Sequence, residues 1–144
     1  MDLSQLWPDA TFVIFDTETT GKYPLDAELC ELAAVKWVSG RVVDQFQTLL
    51  KPSRPIPPEV TAIHNINDGM VEKAPRIRDK IAEFHRFIGD GIPVAHHVPF
   101  DLGFLAIEFE RARLPLPTAP VLCTSLLSRA VITESPNHRM ATLV

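Results

Sequence analysis

Thr11-Phe-Val-Ile-Phe15 constrains this chain more than any other segment. Five β-branched or aromatic residues in a row give way abruptly to the polar Asp16-Thr-Glu-Thr-Thr-Gly21. A short, continuously apolar run of this kind reads as a central strand buried on both faces. A fold built on it needs neighbouring strands on either side and places acidic residues at the strand's carboxyl end.

The rest of the chain supplies those neighbours. Leu29 to Val38 and Val42 to Leu50 flank Ser39-Gly40 and read as a hairpin. A mostly helical stretch follows. Pro75 then opens a helix in which Ile77, Ile81, Phe84 and Ile88 share one apolar face, and Gly89-Asp90-Gly91 ends it. Ile92 to Ala95 is a second short buried strand. The helix from about Pro99 to Arg113 is apolar nearly all round, through Phe100, Leu102, Phe104, Leu105, Ile107 and Phe109. Val121 to Cys123 is a third such strand and Ser125 to Val131 a further helix. The prolines cluster at Pro52–Pro58 and Pro115–Pro120, which read as ordered connections. The order β-β-β-α-β-α-β-α gives the α/β class, a mixed sheet with helices packed on it, in one domain over residues 1–144.

Composition decides what such a domain can handle. With 46% hydrophobic and 22% charged residues, the chain is neither disordered nor fibrous. No apolar run reaches the ~18 residues of a membrane helix, and Met1-Asp2-Leu3 opens no signal peptide. No membrane contact is expected. Cys30 and Cys123 cannot build a disulfide framework, so a cytoplasmic location is expected. The 18 acidic residues outnumber the 14 Lys and Arg, for a formal charge of −4, which argues against a generally basic nucleic-acid-binding face. Phosphate chemistry on this chain would need metal ions to offset its own acidity.

Asp16 and Glu18 stand two apart on extended chain and therefore project to one face. Carboxylates held that close repel each other unless a cation sits between them, and oxygen ligands suit Mg²⁺ or Mn²⁺. The alternative for the pair is a polar turn with solvated acids. His96-His-Val-Pro-Phe-Asp101 follows another buried strand. It places Asp101 in the first turn of an apolar helix, where burial without a partner would be costly. His96 and His97 would suit zinc if they converged, but adjacent strand residues diverge. Both polar clusters lie at the carboxyl ends of buried strands, where open α/β sheets place ligands.

Phe12-Val-Ile-Phe-Asp-Thr-Glu-Thr-Thr-Gly21 resembles the first motif of the DEDD, or DnaQ-like, 3′→5′ exonucleases. This superfamily includes the proofreading epsilon subunit of bacterial DNA polymerase III. Val94-Ala-His-His-Val-Pro-Phe-Asp-Leu-Gly-Phe-Leu105 resembles the second motif, and Pro58-Glu-Val-Thr-Ala-Ile-His-Asn-Ile66 the loop that closes over the terminal nucleotide. The resemblance implies a ribonuclease-H-like fold and removal of 3′ nucleotides with two Mg²⁺ or Mn²⁺ ions. Asp16 would bridge both ions, Glu18 would bind one and Asp101 would help hold the other. Thr17, Glu18 and Thr19 would present backbone groups to the 3′-hydroxyl, and Ile63, His64 and Phe100 would line the pocket for the last base. Implied partners are a single-stranded or frayed 3′ end of DNA, with RNA as alternative, and a polymerase subunit or a second copy of the chain.

Three departures stand out. His97 replaces the family's usual Asn, which bears on how Asp101 is held, and Asn65 replaces its usual Gly in the lid loop. The third motif, H-x-x-x-x-D, would bring a general-base His and a fourth carboxylate. His138 stands too close to Asp101 to be its His, and position 143 is Leu. Residues 136–143 resemble the helix that precedes that motif. The resemblance thus implies a domain incomplete at its C-terminus, lacking a final helical segment, with an apolar patch laid bare and feeble activity by itself. Two other readings stay open. Asp16-x-Glu18-x-Thr20 approaches the D-x-D-x-T of haloacid-dehalogenase-type phosphatases, though the second acid is Glu and no suitably placed Lys follows. A non-catalytic nucleic-acid-binding remnant is the other.

Overall fold

A computed structural model describes residues 9–144; the opening Met1-Asp2-Leu3 lies outside the described residues. Strands β1 (Thr11–Thr19), β2 (Leu29–Val38), β3 (Arg41–Leu49), β4 (Ile92–Ala95) and β5 (Leu122–Cys123) form one mixed sheet in the order β3-β2-β1-β4-β5. The first three make an antiparallel meander, whereas β4 runs parallel to β1, and β5 parallel to β4. Ser39 and Gly40 both take positive φ, 49° and 84°, the left-handed pair that a two-residue hairpin turn requires. Between β3 and β4 lie α1 (Pro58–His64), α2 (Asp68–Val71) and α3 (Ile77–Ile88). The helix α4 (Val98–Arg111) joins β4 to β5, and α5 (Thr124–Val131) and α6 (Met140–Leu143) follow. Among the described residues no helix is long and apolar enough to cross a membrane.

β1 is central, as its composition predicts, yet it is not buried on both faces. Val13, Phe15, Thr17 and Thr19 point inward, while Ile14 is 40% exposed and Asp16 faces solvent. The reason is that α3 and α4 both pack on one side of the sheet. Their Ile81, Phe84, Ile88, Phe104, Leu105 and Phe109 close over Val13, Phe15, Leu32 and Ala34 in the main core. On the other side Phe12, Ile14, Trp37, Val94, Leu122 and Leu127 line an apolar hollow.

Two local features fix how closely these layers approach. Gly91 opens β4 against β1; a Cβ there would meet Val13 Cγ2 at 2.7 Å, so hydrogen is what the strand pairing can hold. A smaller core of Cys30, Ile56, Ile66 and Val71 seats the α1–α2 segment against β2. It brings His64, at the end of α1, to the carboxyl end of β1.

Phe84 is fully buried, with ring contacts to Phe15, Phe46 and Phe87. Phe84→Ala should cost about 3–5 kcal/mol in urea unfolding; a variant as stable as the parent would contradict this packing. Cys30 on β2 and Cys123 on β5 are free thiols, three strand spacings apart in the sheet. At ~4.8 Å per spacing they stand ~14 Å apart, beyond the ~7 Å limit for a bridge. Burial pushes the Cys30 thiol up to about 12, so it also lacks the reactive thiolate. Intact mass under non-reducing conditions should show no loss of two hydrogens.

Candidate active site

The site forms because β1 and β4 run parallel. Parallel pairing brings the carboxyl end of β1 beside the chain leaving β4, and α4 starts there. Asp16 and Glu18 lie on the outward-facing series of β1 that includes Ile14. Asp101 sits in the first turn of α4 and is 3% exposed. Its Oδ1 accepts two hydrogen bonds from Thr17, one from the backbone N–H at 2.9 Å and one from the hydroxyl at 2.7 Å. Thr17 points inward between Asp16 and Glu18, so one strand holds two acids outward and clamps a third from behind. The helix N-terminus adds its partial positive charge to the Asp101 carboxylate.

The charges do not balance locally. Burial is the main cause that raises all three carboxyls above their ordinary values, and mutual repulsion adds to it. Asp16 raises both Glu18 and Asp101, whereas Thr17 partly offsets the shift at Asp101. Among the described residues no Lys or Arg forms an ion pair with Asp16, Glu18 or Asp101. Such a set fits a hard divalent cation by donor chemistry. Among the described residues no three His, Cys, Asp or Glu side chains are grouped to hold an ion by themselves.

The other residues marked in the sequence divide into three groups. Thr17 has its N–H and hydroxyl committed to Asp101, so neither donor is left for a 3′-hydroxyl. Thr19 turns its hydroxyl onto the Gly21 carbonyl at 2.7 Å, and its own carbonyl lies 3.2 Å from His64 Nε2. The Ile66 N–H donates to His64 Nδ1 at 3.0 Å, which places the ring proton on Nε2, facing Thr19. This imidazole therefore joins α1 to the end of β1. Ile63 beside it is 79% exposed and is not a core residue, while Phe100 is half-buried against Phe104.

Both histidines after β4 are apart from each other. His97 is exposed at φ 59°, the left-handed cap of α4, and His96 Nδ1 lies 3.1 Å from Thr124 Oγ1. His97 contributes no side-chain hydrogen bond to Asp101; Thr17 does that work. Its departure from Asn is thus a backbone matter, as is Asn65, which ends α1 at φ 64°. Asp16, His96, Thr124, Gln47 and Met140 line a common cleft of about 510 Å³ on the open side of the sheet.

One acid escaped the sequence reading. Glu31 on β2 is directly opposite Glu18 in the β1–β2 register and raises both Asp16 and Glu18. The available signal was an acid within an otherwise apolar strand, in Leu29-Cys-Glu-Leu-Ala-Ala-Val35.

A mixed sheet with helices, and carboxylates gathered where its two parallel central strands end, defines the ribonuclease-H-like exonuclease class. Residues 13–144 match the family model of the RNase T exonucleases, and the chain belongs to that family. A DNA polymerase III subunit epsilon-like protein of Rhodobacter capsulatus is 43% identical over 139 residues, covering 92% of this chain and 19% of that protein. PolC-type DNA polymerase III of Bacillus subtilis is 37% identical over 140 residues, covering 96% of this chain and 10% of that protein. The chain thus spans about a tenth to a fifth of the length of these relatives. Exonuclease X, solved in complex with 5′-overhanging duplex DNA, superimposes with a TM-score of 0.70 at 31% identity, over 92% of this chain and 70% of that one.

The raised carboxyls carry a stability consequence. Each binds its proton more tightly folded than unfolded, so stability falls as pH rises through and above the ordinary carboxylate range of about 4. Asp16 faces solvent, which keeps its share small. In EDTA at neutral pH, Asp16→Asn should raise the thermal midpoint by a few degrees and flatten its decline with pH. A lower midpoint would show that the Asp16 charge stabilises the fold.

Proposed function

We propose that this chain carries the metal-binding part of a 3′→5′ exonuclease that hydrolyses nucleotides from DNA 3′ ends, in proofreading or end trimming. The observation that carries the reading is the Thr17–Asp101 clamp, which holds a buried carboxylate at the end of the strand that bears Asp16 and Glu18, with no Lys or Arg paired to any of the three among the described residues. The relatives named as polymerase III proteins and the DNA complex of exonuclease X support DNA as substrate and a polymerase as partner. A cytoplasmic setting accords with that use.

In this reading Asp16, Glu18 and Asp101 are the residues that would hold Mg²⁺ or Mn²⁺. Bound there, such ions would supply stabilisation of the entering and leaving oxygens of an in-line displacement. The remaining steps belong to the chain itself. Thr17 keeps Asp101 aimed, and its two donated hydrogen bonds partly offset the rise that burial imposes on that carboxyl. His64, fixed by Ile66 and Thr19, holds the α1 segment at the end of β1, so that exposed Ile63 and half-buried Phe100 bracket the terminal base. Base stacking on such groups tolerates any sequence. Thr19 shapes the turn after β1 that the 3′-hydroxyl meets.

Residues 1–144 contain no His-x-x-x-x-Asp beyond Asp101. General-base assistance is typically worth ~10²–10⁴-fold. Residues 1–144 by themselves should therefore shorten 5′-labelled single-stranded DNA from its 3′ end at least ~100-fold more slowly than an intact relative. The residual activity should require Mg²⁺ or Mn²⁺ and vanish in Asp16→Asn. Turnover within tenfold of the relative would show that another group takes the part of the third motif. Cleavage that survives Asp16→Asn would remove the assignment.

A further inference from the structure

We propose that Glu31 is a fourth acidic member of this site, a positioning residue that grips the hydration shell of the cation held by Asp16 and Glu18. The inference rests on the metal-site reading above and adds a residue to it. In the β1–β2 register Glu18 is paired with Glu31, and Asp16 with Ala33. Directly opposite residues of an antiparallel pair share a face, with Cβ atoms ~4.5–5.5 Å apart. Glu31 therefore stands on the same side of the sheet as Asp16 and Glu18, and the small Ala33 beside it leaves that side open. Like charges directly opposed on a ladder destabilise it. This ladder carries such a pair at Glu18 and Glu31.

The side chain is also held. Gln47, on β3, donates from Nε2 to Glu31 Oε1 at 2.9 Å, and Gln47 lines the cleft that Asp16 lines. Among the described residues Oε2 of Glu31 takes no hydrogen bond and no Lys or Arg pairs with it. A divalent ion that keeps part of its water shell offers donors to such an oxygen. Removing outer partners of this kind costs ~10–100-fold in metal affinity.

Mn²⁺ titration of the protein by calorimetry tests this directly. Glu31→Gln should weaken Mn²⁺ binding about tenfold, with a thermal midpoint in EDTA at or above that of the parent. Gln47→Met, which leaves the Glu31 charge and loosens its side chain, should weaken binding in the same direction. Asp44→Asn removes an equal charge from an exposed position on β3 and should leave the affinity unchanged within twofold. If Glu31→Gln binds Mn²⁺ like Asp44→Asn while Asp16→Asn loses binding, the role of Glu31 is overturned and the metal site stands. If Asp16→Asn also binds like the parent, both fall together.

Discussion

The pair of hydrogen bonds from Thr17 to Asp101 is the interaction on which this site's form depends. It spans 84 residues of sequence and joins the carboxyl-terminal part of the central strand to the first turn of α4. A carboxylate exposed to the extent of 3% would otherwise have to give up its charge or its burial. Thr17 can serve because strand alternation turns it inward while its two neighbours turn outward. A single five-residue stretch, Asp16 to Thr20, thereby presents acids on one side and anchors a helix on the other.

The same alternation divides the sheet into two unlike faces. On the covered face, α3 and α4 supply aromatic and aliphatic side chains to Val13 and Phe15, and the packing there is dense enough to require glycine at position 91. On the open face, an apolar hollow around Phe12, Ile14 and Trp37 passes into a cleft lined by Gln47, His96 and Asp16. Polarity thus increases along β1 toward its carboxyl end. The rigid side of the sheet fixes strand positions, and the open side uses them.

Much of this was legible in the sequence because local rules and global fold agree. The hairpin at Ser39-Gly40, the apolar stripe Ile77-Ile81-Phe84-Ile88 and the acids at the ends of β1 and near the end of β4 follow from periodicity and turn chemistry. The exposure of Ile14 did not, since four apolar residues in a row, Phe12 to Phe15, erase the alternation that would reveal it. The expected backbone role of Thr17 came from the motif, whereas its bond to Asp101 had no sequence signal. A hydrogen bond across 84 residues depends on the parallel pairing of β1 with β4, which no short window records. Glu31 was hidden for a similar reason, because its meaning lies in the register that sets it opposite Glu18.

The two departures from the family's usual residues bear on the same division between backbone and chemistry. Asn65 and His97 both occupy left-handed conformations, at φ 64° and 59°, one closing α1 and the other opening α4. Asn and His tolerate that region better than most residues, so each position can change identity while its backbone duty persists. His64 and Asp101, a few residues away on the helices so bounded, are instead fixed by side-chain bonds to β1, through Thr19 and Thr17. The strand therefore sets the site's geometry from both sides. Substitution is absorbed at the caps, where conformation matters more than the side chain.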